Sequence, residues 1–133
     1  MILGIGIDVE EVERVRASIE RHGERFLRRI YTPGEIAYVE ARARRFERYA
    51  ARFAAKEAAM KALGTGWGQG VGWRDVEVVN SPDGRPSLRL TGGARAAFDA
   101  KRGAATHVSL THTRAIAAAH VVLESGPEAV GVS

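Results

Sequence analysis

Gly4-Ile5-Gly6-Ile7-Asp8, at the centre of residues 2–9, is the stretch that decides the fold. Leu3, Ile5, Ile7 and Val9 form one apolar row, and Gly4, Gly6 and Asp8 form the other. That alternation is the period of a β-strand. Glycine weakens a strand and marks close approach by another group. The strand is followed by helical spacing at Val9, Val12, Val15 and Ile19. His22 and Gly23 break that pattern, and residues 24–30 read as a short second helix. Thr32-Pro33-Gly34-Glu35 combines an N-cap, a proline at the first helical position and a capping glutamate. It opens a third helix reaching about Ala41.

The longest helix is expected over residues 44–63, with Phe46, Ala50, Phe53 and Met60 on one side and Gly64 at its end. A glycine-rich loop, residues 64–72, follows. Residues 75–80 and 86–90 read as strands around the turn Ser81-Pro82-Asp83-Gly84. Residues 93–102 read as an alanine-rich helix, and residues 106–113 and 116–123 as a hairpin. The fold class is α+β: an N-terminal strand, helices including one long one, then antiparallel strands on the same sheet. Residues 1–124 make one domain, and residues 125–133 are expected to fray as a tail.

The 133 residues suit one domain. The absence of cysteine excludes disulfides, thiolate metal sites and a catalytic thiol. Twenty basic residues against 16 acidic ones give a net charge of +4, too modest to indicate nucleic acid by itself. No apolar run reaches the roughly 20 residues of a membrane span, and the start lacks the pattern of a signal peptide. The expectation is a soluble cytoplasmic protein.

Several residues are candidates for chemistry. Asp8 either caps a helix starting at Val9, with Glu11 in support, or binds a metal. Continuing the stripe Phe46, Ala50, Phe53 by four lands on Glu57. A carboxylate on a core-facing stripe needs a cation, either Lys61 one turn on or a bound ion. Two carboxylates suit magnesium, which completes its shell with water and phosphate. Arg52, Lys56 and Lys61 are fitting partners for a polyphosphate, or else a solvated basic face. The glycine loop either cradles phosphate through its amides or is a plain turn. His107, Ser109 and Thr111 share one strand face with His112 on the other, which does not supply a serine–histidine hydrolase. Arg14, Arg21, Arg25 and Arg28 would line one face, beside Phe26, of a helix continuous through Gly23.

Together, Gly4-Ile5-Gly6-Ile7-Asp8-Val9-Glu10, Arg52-Phe53-Ala54-Ala55-Lys56-Glu57-Ala58 with Lys61-Ala62-Leu63-Gly64-Thr65-Gly66, and Val108-Ser109-Leu110-Thr111-His112-Thr113 resemble the three signatures of holo-acyl-carrier-protein synthase. This is the small, single-domain type of 4′-phosphopantetheinyl transferase. The resemblance covers residues 1–124 and implies transfer of the phosphopantetheine arm of coenzyme A to a serine of an apo acyl carrier protein for fatty acid biosynthesis. Adenosine 3′,5′-bisphosphate is released. It implies that Asp8 and Glu57 bind Mg2+ and that Glu57, or a water it orients, helps remove the serine proton. Lys61 would contact the pyrophosphate, with Arg52 and Lys56 around it. Gly64, Thr65 and Gly66 would lie along the nucleotide. Asn80, Arg85 and Pro86 would hold the adenylate, with Arg85 where the family usually has lysine. His107, Ser109, Thr111 and His112 would reach the nucleotide from a neighbouring subunit of a homotrimer. Arg14, Arg21, Arg25, Phe26 and Arg29 would dock the acidic carrier protein. Tyr49-Ala50-Ala51 stands where Phe-Leu-Ala is more usual, and Gly23 interrupts the docking region.

Two other classes remain open on sequence. One is a small basic nucleic-acid-binding domain, supported by the arginine-rich middle of the chain but short of aromatics for stacking. The other is a non-catalytic module for acidic proteins or coenzyme A, which would need neither Asp8 nor Glu57.

Overall fold

The computed structural model describes residues 1–66 and 69–127, so Trp67, Gly68 and most of the expected tail lie outside the described residues. Strand β1 (Ile2–Glu11) leads into helices α1 (Val12–His22), α2 (Glu24–Ile30), α3 (Pro33–Glu40) and the long α4 (Arg45–Leu63). A 3-10 turn at Trp73–Asp75 precedes β2 (Val76–Asn80) and β3 (Pro86–Leu90). Helix α5 (Gly92–Ala100) and strands β4 (Gly103–His112) and β5 (Ile116–Ser125) complete the described chain. No helix among the described residues is long and apolar enough to cross a membrane.

Strands β1, β5 and β4 form one antiparallel sheet in that order, so β1 and β4 are its two edges. Helix α4 lies on its inner face, and the glycines of β1 show how closely. A Cβ on Gly4 would stand 1.9 Å from the carbonyl oxygen of Ala62, and one on Gly6 1.8 Å from that of Ala58. Neither position accepts a side chain, because the obstacle is backbone. The helix answers with its own small residues: Ala54, Ala55, Ala58, Ala59 and Ala62 are all buried there, with Val121 and Leu123 of β5 and Phe98 of α5. A second cluster joins α1, α2 and α3 to the first half of α4 through Val15, Ile19, Leu27, Tyr31, Val39 and Tyr49. The apolar row of β1 faces outward: Ile5, Ile7 and Val9 are 57%, 62% and 57% exposed.

Three expectations are corrected. Helix α1 starts at Val12, not Val9, because pairing with β5 continues to Glu11 opposite Ile116 and the Val12 N–H then donates to the Ala115 carbonyl. Asp8 is therefore inside a strand and caps nothing. Gly23, at φ +56°, ends α1 and precedes α2, so the arginines do not share one continuous helix. Strands β4 and β5 do join β1, but β2 and β3 form a separate hairpin.

The outer edge of that hairpin is closed by side chains. The Lys56 ammonium, fully buried, donates to the carbonyls of Val76 and Trp73 and to Glu35 Oε1 at 2.7 Å. Glu35 Oε2 accepts from the Val78 N–H at 2.9 Å. Glu35 also closes the capping box of α3 with Thr32, as its spacing implies. One buried ion pair thus ties α3, α4 and β2 together.

Two stability predictions follow from this packing. Gly6→Ala, which places a methyl group against backbone, lowers the unfolding free energy by about 3 kcal/mol or more in urea titrations; an unchanged midpoint contradicts the close contact. Lys56→Met leaves Glu35 buried without its cation and costs about 3–5 kcal/mol by the same measurement; a loss below about 1 kcal/mol contradicts a buried charged pair.

Candidate active site

Alternation along β1 turns Asp8 and Glu10 to the same side as Gly4 and Gly6, towards α4. Lys61 reaches across from the helix: its Nζ donates to Asp8 Oδ1 at 3.1 Å and to the Ile7 carbonyl at 3.0 Å. Lys61 therefore pairs with the strand rather than lying along the helix on Glu57. Asp8 is only 12% exposed, and its Oδ2 is buried with no amide, amine or hydroxyl reaching it. Burial, and next the charge of Asp8, push the Glu57 carboxyl above the ordinary carboxylate range, against the pull of Lys61.

Glu10 is the residue that sequence reasoning passed over here. Burial is the largest cause raising its carboxyl to about 8, followed by a side-chain hydrogen bond with Asp8, then the charges of Asp8 and Glu57, with Arg14 opposing. The period of two from Asp8 was the signal that could have found it. Three acids thus converge near one ammonium, and two of them, Glu10 and Glu57, hold their protons more tightly than ordinary carboxyls. Among the described residues no three Asp, Glu or His side chains are gathered tightly enough to form a complete metal cage. The set fits an ion that takes one or two protein carboxylates and keeps water and phosphate in its other positions. Asp8 and the half-buried Glu57 could hold such an ion. Beside them, Glu10, Arg14, Val15, Ser18, Phe26 and Phe53 line a cavity of about 270 Å³.

A second group lies on the other flank of α4. His112 on β4 stands opposite Ala117 of β5, which stands opposite Glu10 of β1, so all three share one row of the sheet. The two edge residues are roughly 10 Å apart at strand spacing. Ala117 is buried in the same cluster as Ala50 and Ala51 of α4, so the helix lies between them. Tyr38, Arg48, Arg52, Asn80, Pro86 and His112 line a cavity of about 180 Å³ there. The Arg52 guanidinium lies over the Tyr38 ring at 4.5 Å and donates from Nη2 to Asn80 Oδ1 at 2.5 Å. Its Nε is buried without a partner. The lining is basic and can hold an anion.

The sequence-selected residues therefore separate. Asp8, Glu57 and Lys61 meet on the β1 flank, and Arg52, Asn80, Pro86 and His112 on the β4 flank. Lys56 joins neither group: it is buried with three acceptors, which corrects its expected place around a polyphosphate. Gly64 ends α4 at φ +76°, and the buried Thr65 hydroxyl beyond it has no partner. Gly66 adjoins it. Arg85 is exposed on the turn between β2 and β3. His107, Ser109 and Thr111 are on the outer sheet face, with His107 Nε2 3.1 Å from Glu124. Arg14 and Phe26 border the acid site, while Arg21, Arg25 and Arg29 are exposed on α1 and α2.

Residues 4–119 match the family model described as the 4′-phosphopantetheinyl transferase superfamily. The chain belongs to that family. It is 58% identical to the holo-[acyl-carrier-protein] synthase of Solibacter usitatus over 94% of this chain and 100% of the relative. The fold matches the crystal structure of the holo-[acyl-carrier-protein] synthase of Neisseria meningitidis with a TM-score of 0.86 at 29% identity, covering 94% of this chain and 100% of that one. It also matches the Bacillus anthracis synthase, a structure in complex with coenzyme A (3′,5′-ADP), with a TM-score of 0.78 at 38% identity over 95% and 99% of the two chains. The protein is thus a transferase of the holo-[acyl-carrier-protein] synthase type, which displaces the nucleic-acid-binding and non-catalytic alternatives.

The acid cluster has a pH signature. A carboxyl whose folded pKa is raised, here from 4.5 to about 8 for Glu10, gives stability that is fully present at low pH and lost as pH rises through that interval. In chelator, the wild-type melting temperature therefore falls between about pH 5 and pH 9, and Glu10→Gln falls less. Parallel profiles in differential scanning calorimetry contradict the clustering.

Proposed function

We propose that the protein moves the 4′-phosphopantetheine arm of coenzyme A onto a serine hydroxyl of an acidic apo acyl carrier protein of fatty acid biosynthesis, in the cytoplasm, with Mg2+. The observation that carries this is the meeting of Asp8, Glu57 and Lys61 on one flank of α4, with Lys61 Nζ donating to Asp8 Oδ1. Asp8 and Glu57 would hold the metal, which when bound neutralises charge on the coenzyme A pyrophosphate. Lys61, already aimed at Asp8, stabilises the same phosphates. Glu57, directly or through one water, accepts the serine proton. The serine oxygen then forms a bond to the pantetheine-bearing phosphorus as the bond to the bridging oxygen breaks. The leaving group is adenosine 3′,5′-bisphosphate.

The nucleotide end fits the basic β4-flank cavity, where Arg52, Asn80, Pro86 and His112 gather, with Gly64, Thr65, Gly66 and Arg85 as further contacts. A helix separates that cavity from the acids of the same chain. A second copy would bring its β4 edge, with His107, Ser109 and Thr111, to the β1 edge of the first. The open row Ile5, Ile7 and Val9 supplies an apolar surface for that contact, and a homotrimer closes it. Arg14, Arg21, Arg25, Arg29 and Phe26 sit where a carrier delivering its serine to the acid site would rest, and positive charge there speeds encounter with an acidic partner.

Incubation with coenzyme A, Mg2+ and apo acyl carrier protein should add the mass of one phosphopantetheine to the carrier in intact mass spectrometry. Chelator and Asp8→Asn should each abolish the gain. A gain that survives chelator contradicts the metal, and no gain with several carriers contradicts the reaction. Ile7→Glu should turn the trimer into an inactive monomer in light scattering; an unchanged trimer contradicts the interface.

A further inference from the structure

Glu47 has no part in the chemistry described so far, yet it contacts a residue that lines the β4-flank cavity. Its Oε1 lies 2.8 Å from His112 Nδ1, and the two side chains are 14% and 28% exposed. The contact joins the first turn of α4 to the end of β4. An ionised carboxylate can only accept, so His112 Nδ1 carries the hydrogen. That leaves Nε2 as the ring nitrogen available to the cavity that His112 lines.

The surroundings make the partner matter. Arg48 and Arg52 of α4 are the charged residues lining that cavity; Tyr38 comes from α3, Asn80 and Pro86 from the β2–β3 hairpin, and Leu110 from β4 itself. Glu47 is the carboxylate in contact with the ring, and the two guanidinium groups are donors with nothing to offer it. A neutral ring with its hydrogen on Nδ1 presents a lone pair at Nε2, which repels a phosphate oxygen. A ring with hydrogen on both nitrogens keeps its Nδ1–H on the carboxylate and presents N–H at Nε2 instead. It also fixes the ring plane, as a carboxylate does for a metal-binding histidine.

We propose that Glu47 is a positioning residue that holds His112 as a hydrogen-bond donor to a phosphate of the bound nucleotide. The proposal rests on coenzyme A binding in this cavity. Glu47 itself touches no substrate. It acts through His112, and Gln at this position keeps the size and the acceptor while removing the charge.

The test compares wild type, Glu47→Gln, His112→Ala and the double variant in steady-state transfer from coenzyme A. Glu47→Gln should raise KM for coenzyme A about tenfold near pH 7.5, with kcat changed less than about twofold. In the His112→Ala background the same substitution should add nothing. A lowered melting temperature with KM unchanged, or full additivity with His112→Ala, overturns the proposal and leaves Glu47 a clasp between α4 and β4. If Glu47→Gln does not fold, 15N NMR of the wild-type His112 ring decides. Titration with adenosine 3′,5′-bisphosphate should give both ring nitrogens the shifts of protonated sites; a neutral ring in the complex overturns it. Failure of the functional reading looks different: wild type itself then shows no transfer and no nucleotide-dependent change.

Discussion

The acid site of this molecule depends on how closely β1 lies on α4. Gly4 and Gly6 bring strand backbone against the carbonyls of Ala62 and Ala58, leaving no room for a methyl group. Two residues further along the same row, Asp8 must then enter the space beside the helix, where Glu57 and Lys61 stand. A bulkier strand would lie further out, and the three charges would be solvated separately. The strand loses intrinsic stability to its glycines, and the burial of the alanine face of α4 offsets that loss. The acids are brought together in consequence, and burial first, then the neighbouring carboxylates, raise the proton affinities of Glu10 and Glu57.

The same helix divides the molecule. Acids gather on the β1 flank and an anion-holding cavity on the β4 flank, with α4 lying over Ala117 between them. Under the proposed function, a ligand with a metal-binding pyrophosphate and a phosphorylated nucleotide end would span two copies. The outward face of the sheet agrees with that arrangement: an apolar row on β1, and His107, Ser109 and Thr111 on β4. The buried pair Glu35–Lys56 has a supporting role. It closes the edge of β2 and seats the hairpin that carries Asn80 and Pro86 beside Arg52.

Local signals were legible in the sequence. Thr32-Pro33-Gly34-Glu35 is the capping box its spacing describes, the second helix has the bounds its breaks suggest, and Gly64 ends α4. The glycine row of β1 does meet a close neighbour. What escaped reading depends on partners distant in the chain. Asp8 resembled a helix cap because nothing local says that β5 pairs as far as Glu11. Lys56 resembled a phosphate ligand because its true partner, Glu35, is 21 residues away. Glu47 meets His112 across 65 residues. Glu10 was within reach, two residues after Asp8, but it looked like one more acid in an acidic run.

The most direct test is a crystal structure with coenzyme A and Mn2+, using anomalous scattering to place the metal. The account predicts one metal peak between Asp8 and Glu57, touching the pyrophosphate, with the nucleotide end in the cavity formed by Arg52 and His112 of an adjoining copy. A metal held away from Asp8, or a coenzyme A whose two ends both rest on one copy, would contradict it.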